Sequence, residues 1–378
     1  MGRHRVVPML SRDAGIDRDV FDRFYAAEFS YFSAKVRPAL RYKRVPYVEI
    51  LPTPAVYRQV IVPRTGLSFI PVLVTAEDET LQDSSEILDA LERRFPAPPL
   101  YPRAAVLRAV AYLIELYADE FLILPGLHYR WSFPESVTKA RADFAAITGN
   151  VEASRAFADR ISGMLPFVGV VPASIPAIEA HTHDLLDRLS AHFSRHLYVL
   201  GQRPSLADCA LMGPLHAHLY LDAVPARLMR ERAPLVCHWI QRMSNPDPDG
   251  LGEWAAPAEL APTLTPLLAL IGADAVPLLL DNLRAFDEWA DSRPPQTSEP
   301  PRGVGGHATS LRGATFNRVT SAYTLWMVQR PLDAYAACTA AERREIDRAL
   351  AGSGCEALFA YQPRHRLGKR RFKLVFEE

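Results

Sequence analysis

The segment Pro96-Ala-Pro-Pro-Leu-Tyr-Pro102 constrains this chain more than any other. Its four prolines fix φ and lack backbone N–H donors, so neither a helix nor a central strand can run through it, and residues 97–102 read as an extended linker. The periodicity differs on its two sides. Before it, after a polar lead-in over residues 1–19, short apolar runs alternate with helical stretches. The pattern predicts a strand in Val20–Ala27, a helix over Tyr31–Tyr42 capped by Ser30, and a strand in Val45–Leu51. Pro52, Pro54 and Pro63 mark an irregular connection with at most a short helix. A third strand is expected in Phe69–Thr75, a fourth from Thr80–Leu81, and a helix over Ser84–Phe95 whose Ile87, Leu88, Leu91 and Phe95 form one apolar face. Residues 20–96 therefore read as a small β-α-β-(α)-β-β-α domain.

Beyond the linker the pattern turns helical over residues 103–245. Helices are predicted at Arg103–Leu124, stopped by Pro125-Gly126, at about Glu135–Met164, at about Ile178–Tyr198, from Ser205, and at Pro234–Met243. Ser205 and Asp208 form a capping-box pattern and read as structural. Residues 246–309 form a Pro-rich segment with a helix at Pro277–Ala290 and an exposed loop at Ser292–Gly306. The C-terminal extension, 310–378, is apolar enough to fold, with helices near Ser321–Val328 and Ala340–Leu350 and an alternating strand at Phe372–Phe376.

Lys+Arg and Asp+Glu each number 43, and this zero balance argues against a nucleic-acid or membrane-surface binder; the basic run Arg364–Lys373 reads as a solvated or packing segment. Cys209, Cys237, Cys338 and Cys355 form no C-x-x-C pair and read as reduced thiols. With no signal-like start and no uninterrupted apolar run of about 18 residues, the expectation is a soluble cytoplasmic protein. His181, His183, His192 and His196 share one predicted helix but lack an H-E-x-x-H pattern or a cysteine partner, so no metal is expected. Gly303-Val-Gly-Gly306 lacks the preceding strand and following Lys-Ser/Thr of a phosphate loop.

Five segments, in order, resemble glutathione S-transferases. Ser30-Tyr-Phe-Ser-Ala-Lys-Val-Arg37 is similar to the Ser/Cys-Pro-aromatic stretch at the first strand-to-helix turn. Phe69-Ile-Pro-Val-Leu73 resembles the Val-Pro-x-Leu segment with a cis proline, and Leu81-Gln-Asp-Ser-Ser-Glu-Ile87 the Leu-x-Glu/Asp-Ser-x-x-Ile segment. Ser205-Leu-Ala-Asp-Cys-Ala-Leu211 and Ala233-Pro-Leu-Val-Cys-His-Trp-Ile-Gln-Arg-Met243 resemble two segments of the helical domain. The resemblance covers roughly residues 20–245. It implies an α/β thioredoxin-like N-terminal domain, an all-α bundle, and an additional C-terminal segment that it does not explain.

The resemblance implies glutathione as co-substrate and a small apolar electrophile as its partner. Ser30, at a helix N-terminus that favours an anion, is the expected thiolate-activating hydroxyl; Tyr31, standing where the family often has proline, is the alternative. Ile70 and Pro71 are expected to meet the cysteinyl backbone, and Asp83 and Ser84 the γ-glutamyl ammonium and carboxylate. Tyr129, Arg130 and Trp131 are expected in the second-substrate pocket. A homodimer is expected through the helix Ser84–Phe95 and the helix after the linker, unless the long extension covers that surface and leaves a monomer. The missing proline and the long extension leave a non-catalytic scaffold as the rival reading.

Overall fold

The computed structural model describes residues 21–249, 252–255, 260–294 and 296–377; the lead-in expected over 1–19 lies outside them. Strand β1 (Asp22–Tyr25) leads to α1 (Tyr31–Tyr42), then β2 (Tyr47–Ile50), β3 (Val72–Val74), β4 (Thr80–Gln82) and α3 (Ser84–Arg94). The sheet order is β2-β1-β3-β4, with β1 parallel to β2 and the other pairs antiparallel. This is a thioredoxin-like mixed sheet. Phe24 and Leu73, opposite each other on β1 and β3, are fully buried with Val36 and Leu40 of α1 and Ile87 and Leu88 of α3.

The connection between β2 and β3 is more helical than its prolines suggest. Pro54–Val56, Tyr57–Ile61 and Val62–Thr65 abut as α2. Pro54 stands in the first turn, where a missing N–H costs no helical bond, and Pro63 follows the wide turn Tyr57–Ile61 within the run.

The helical domain comprises α4 (Ala105–Leu116), α5 (Ile123–Trp131), α6 (Pro134–Thr148), α7 (Val151–Ser162), α8 (Leu165–Val168), α9 (Ile175–Phe193), α10 (Leu206–Met212), α11 (Ala223–Arg232) and α12 (Pro234–Ser244). Wide π-type turns extend α4 over Tyr117–Phe121 and α10 over Gly213–Tyr220. Pro125-Gly126 does not stop a helix here; both residues lie inside α5, Pro125 in its first turn, where it displaces no intrahelical donor. The single helix expected over Glu135–Met164 is two, because Gly149 closes α6 at φ +65° and Asn150 caps α7 through the Ala153 amide.

The C-terminal part folds onto both domains. A 28-residue helix, α13 (Thr265–Ser292), is long and apolar enough to span a membrane, but 72% of its apolar window is buried inside the protein. Next come the hairpin β5 (Gly303–Leu311) and β6 (Ala314–Ser321), helices α14 (Ala322–Ala336), α15 (Ala340–Leu350) and α16 (Glu356–Phe359), and the hairpin β7 (Leu367–Arg370) and β8 (Lys373–Phe376). The loop expected over Ser292–Gly306 gives way to β5 at Gly303, and the rejected phosphate-loop glycines are part of that strand.

Candidate functional site

The β1–α1 turn places Ser30 as the N-cap of α1, half-buried, its Oγ accepting from the Ser33 amide at 3.4 Å. The Ser30 hydroxyl proton has no acceptor among the described residues, which leaves it available beside the positive end of the helix.

Tyr31 is differently placed. Its hydroxyl donates to the Ala118 carbonyl at 2.6 Å, and its ring is 4% exposed. A Cβ on Gly213 would lie 2.9 Å from that ring, and one on Gly126 3.2 Å from it, so the phenol fills a slot that both glycines keep open. Burial, aided by the nearby Asp119 charge, holds its pKa well above the ordinary tyrosine value. Tyr31 thus docks the two domains together, which accounts for an aromatic residue where the family often has proline.

Next to this turn lies a buried charge cluster around Lys35, which no local sequence signal marks. The Lys35 Nζ donates to Glu115 Oε1 and Ser85 Oγ, both at 2.8 Å, and to Asp119 Oδ2 at 2.5 Å. Lys35, Glu115 and Ser85 are fully buried and Asp119 is 4% exposed. Burial opposes the ammonium, yet Asp119 and Glu115 hold its pKa above the ordinary lysine value. Burial and the Glu115 charge push Asp119 up to about 7. Glu115 also accepts from Arg330 Nε at 3.0 Å.

Beyond β2, the Ile70–Pro71 peptide is cis, and Pro71 is buried. Asp83 caps α3 by accepting from the Ser85 amide at 2.9 Å and takes a left-handed φ of +85°. Ser84 is buried in the first turn of α3. The carboxylate of Asp83 is already partnered by the extension: Lys369 Nζ is 2.9 Å away, and the Tyr323 hydroxyl donates to it. Although burial opposes its charge, Lys369 and Tyr323 hold Asp83 below the ordinary carboxylate range. The Lys369 ammonium also contacts Glu86 at 3.1 Å and sits 3.7 Å from the Trp326 ring centre. Arg302 stacks 3.8 Å over the Phe69 ring. The basic run containing Lys369 was read as solvated or packing, with no link to Asp83; only the fold brings its lysine to this carboxylate.

The residues expected in a second-substrate pocket are buried. Tyr129 is 4% exposed, Arg130 3% and Trp131 6%. Arg130 donates to the Phe29 carbonyl at 2.8 Å and pairs with Asp222 at 3.0 Å, holding the Ser30 turn from behind. Trp131 packs with Ala140 and Ala158. Arg130 thus supports the turn, while Tyr129 and Trp131 are packed inside the helical domain. Ser205 and Asp208 form the expected capping box, and Asp208 also accepts from Trp239 Nε1 at 3.0 Å. His181 is held by Tyr117 and Asp274, and His192 by Thr263 and the Tyr198 carbonyl.

The surface expected to receive a second subunit is filled by this chain itself. Helices α14 and α15 pack on α4, and Arg330 of α14 bridges Asp89 of α3 at 2.7 Å and Glu115 of α4. Lys369 covers Glu86 on α3. The apolar helices of the extension bury the face of α4, and Arg330 and Lys369 reach across to α3.

Comparison with known proteins agrees with this architecture. Family models describe residues 24–99 as a glutathione S-transferase N-terminal domain and residues 175–247 as its C-terminal domain. Among solved structures, the chain is similar to a glutathione S-transferase from Rhodospirillum rubrum, at 20% identity over 66% of this chain and 92% of that one, with a TM-score of 0.42. It is also similar to the β-etherase LigF from Sphingobium sp., at 16% identity over 60% of this chain and 96% of the other, with a TM-score of 0.44. A glutathione transferase homologue from Sulfitobacter, with bound glutathione, is 16% identical over 61% of this chain and 95% of its own, with a TM-score of 0.39. No curated protein matches the sequence. Residues 24–99 and 175–247 thus carry, in order, the two domains that characterise glutathione S-transferases, the first on the mixed sheet and the second in the helical bundle.

Proposed function

We propose that this protein is a glutathione-dependent transferase or a related thiol enzyme, with glutathione as co-substrate and no metal. Ile70, Pro71, Asp83 and Ser84 hold the tripeptide, and Ser30 stabilises its sulfur as a thiolate for attack on a small electrophile. The observation that carries this reading is the uncommitted hydroxyl proton of Ser30 at the amino end of α1. A thiolate there accepts the hydroxyl and faces the positive helix end, both of which lower a thiol's pKa from about 8.5. In the transfer, a carbon–sulfur bond forms as the leaving group departs with its electron pair. The thiol proton has gone to solvent before the attack. The four buried, unpaired cysteines are consistent with a reducing cytoplasmic location.

A non-catalytic scaffold is the second reading, favoured by one observation: Asp83, the proposed ammonium partner, is engaged by Lys369 and Tyr323. Titration calorimetry with glutathione, paired with turnover of 1-chloro-2,4-dinitrobenzene, separates the two. Binding with turnover is the expected result. Binding without turnover of this and other generic electrophiles supports the scaffold, and no binding at millimolar glutathione overturns both forms of the glutathione reading.

A further inference from the structure

The hairpin β5–β6 places His307 directly opposite Arg318. Cross-strand partners share a face, and this one turns inward, with Thr309, Leu311, Phe316 and Thr320 buried along it. The nitrogens Arg318 Nε and His307 Nε2 are both buried without a hydrogen-bond partner. His307 Nδ1 meets Thr320 Oγ1 at 2.9 Å, so a neutral ring that accepts there presents its Nε2–H as a donor.

The buried Arg37 and Arg130 and the partly buried Arg330 hold Glu49, Asp222 and Asp89 respectively. Arg318 holds no carboxylate among the described residues, and neither does Arg302, whose guanidinium lies over Phe69. Burial lowers the pKa of both arginines; Tyr323, Asp83 and Glu120 oppose it at Arg302, and Glu120 at Arg318. The Glu120 carboxylate is itself engaged by the Thr324 hydroxyl. Both guanidinium groups thus feel the Glu120 carboxylate, and Arg302 also that of Asp83, without forming an ion pair with either. An unsatisfied buried donor costs about 1–3 kcal/mol, and more when charged, unless a ligand supplies the acceptor.

We infer that this hairpin forms a binding site for a small molecule bearing a carboxylate, with Arg318 and Arg302 as its cations and His307 as a further donor. The site lies beside the proposed glutathione site: Phe69, under Arg302, precedes the Ile70–Pro71 peptide, and Glu120 is on the same wide turn as Ala118, which holds Tyr31. A second substrate entering here is recognised by its acid group, where the sequence alone implied a purely apolar electrophile. The anion site itself does not depend on the glutathione reading and is tested without glutathione.

The probes are 3,5-dinitrobenzoate and 1,3-dinitrobenzene, which differ by the carboxylate alone, titrated into the full chain while tryptophan fluorescence is followed. The acid is expected to bind about tenfold to a hundredfold tighter, the range that charge-assisted hydrogen bonds support. Arg318→Met should erase that preference without lowering the melting temperature, because it removes an unpaired buried charge; a purely structural arginine would lose stability. Arg302→Gln, at an exposed position, should weaken the acid several-fold and provides the same test if the Met variant does not fold. Equal affinity of the parent for both probes, binding of neither at millimolar concentration, or an undiminished preference in folded Arg318→Met overturns the site.

Discussion

The Lys369 ammonium lies 2.9 Å from the Asp83 carboxylate, in the position that the α-ammonium of a γ-glutamyl ligand would need. Glutathione bound through Asp83 must therefore displace Lys369 or share the carboxylate with it. Lys369→Met is expected to tighten glutathione binding by at least several-fold. It should also destabilise the free protein, by about 3 kcal/mol if the loss resembles that of other buried pairs. Glutathione should then raise the melting temperature of the variant more than that of the parent, since a ligand stabilises in proportion to its binding to the native state. Calorimetry and thermal melts check both statements; unchanged affinity would show that Asp83 is not a ligand contact.

Ser30 and Tyr31 are expected to separate cleanly. Ser30→Ala should raise the apparent pKa of bound glutathione and lower turnover, by up to about 10²–10³ if the site is dry, with affinity nearly unchanged. Tyr31→Phe should leave the pH–rate profile in place and reduce stability, by roughly 1–3 kcal/mol, because the buried Ala118 carbonyl loses its donor. A shifted profile in Tyr31→Phe with none in Ser30→Ala would reverse the roles.

The buried cluster around Lys35 makes a stability prediction. Lys35→Met leaves Glu115 and Asp119 buried without their shared ammonium and should cost about 3–5 kcal/mol. Adding Asp119→Asn should recover part of that loss, because Arg330 still holds Glu115 while Asp119 has no second cation within reach. Urea denaturation of the single and double variants measures the coupling; strictly additive losses would mean that the two residues act independently.

Because α14 and α15 pack on α4, and Arg330 and Lys369 reach across to α3, the chain should be a monomer in solution. Light scattering should give a mass near 42.1 kDa. A stable species of twice that mass would require an interface elsewhere on the surface.

His192 is fully buried, and burial lowers its pKa from 6.5 to about 4, with His196 adding to the effect. The folded state therefore keeps this ring neutral while the unfolded chain protonates it. Its contribution to stability is complete above pH 6.5 and is lost as pH falls from 6.5 toward 4, a span worth roughly 3 kcal/mol. His192→Gln should flatten that part of the stability–pH curve, measured by urea denaturation at several pH values. An unchanged slope would place the acid sensitivity on other groups.

Local signals determined the core of this protein. Ser30, an N-cap residue before an amphipathic run, predicted α1 at the bounds it adopts, and Asp83-Ser84 likewise marked the start of α3. The proline-rich stretch lies between α3 and α4, and Ser205 with Asp208 formed the capping box their spacing announced. These features are legible because caps and periodicity act within a few residues of one another. The hairpin β5–β6 escaped notice because its glycines and threonines lack the apolar alternation that marks a strand. Tertiary structure alone decided the rest. Ser30 and Tyr31 carry adjacent hydroxyls, yet only packing against Gly126, Gly213 and Ala118 commits one of them. Lys369 and Asp83 are local nonentities to each other until α14 carries the terminal hairpin back over α3. Nothing in a helix period or a cap encodes such a pairing, because its energy arises from desolvating two distant charges together, and that happens only once the chain has closed on itself.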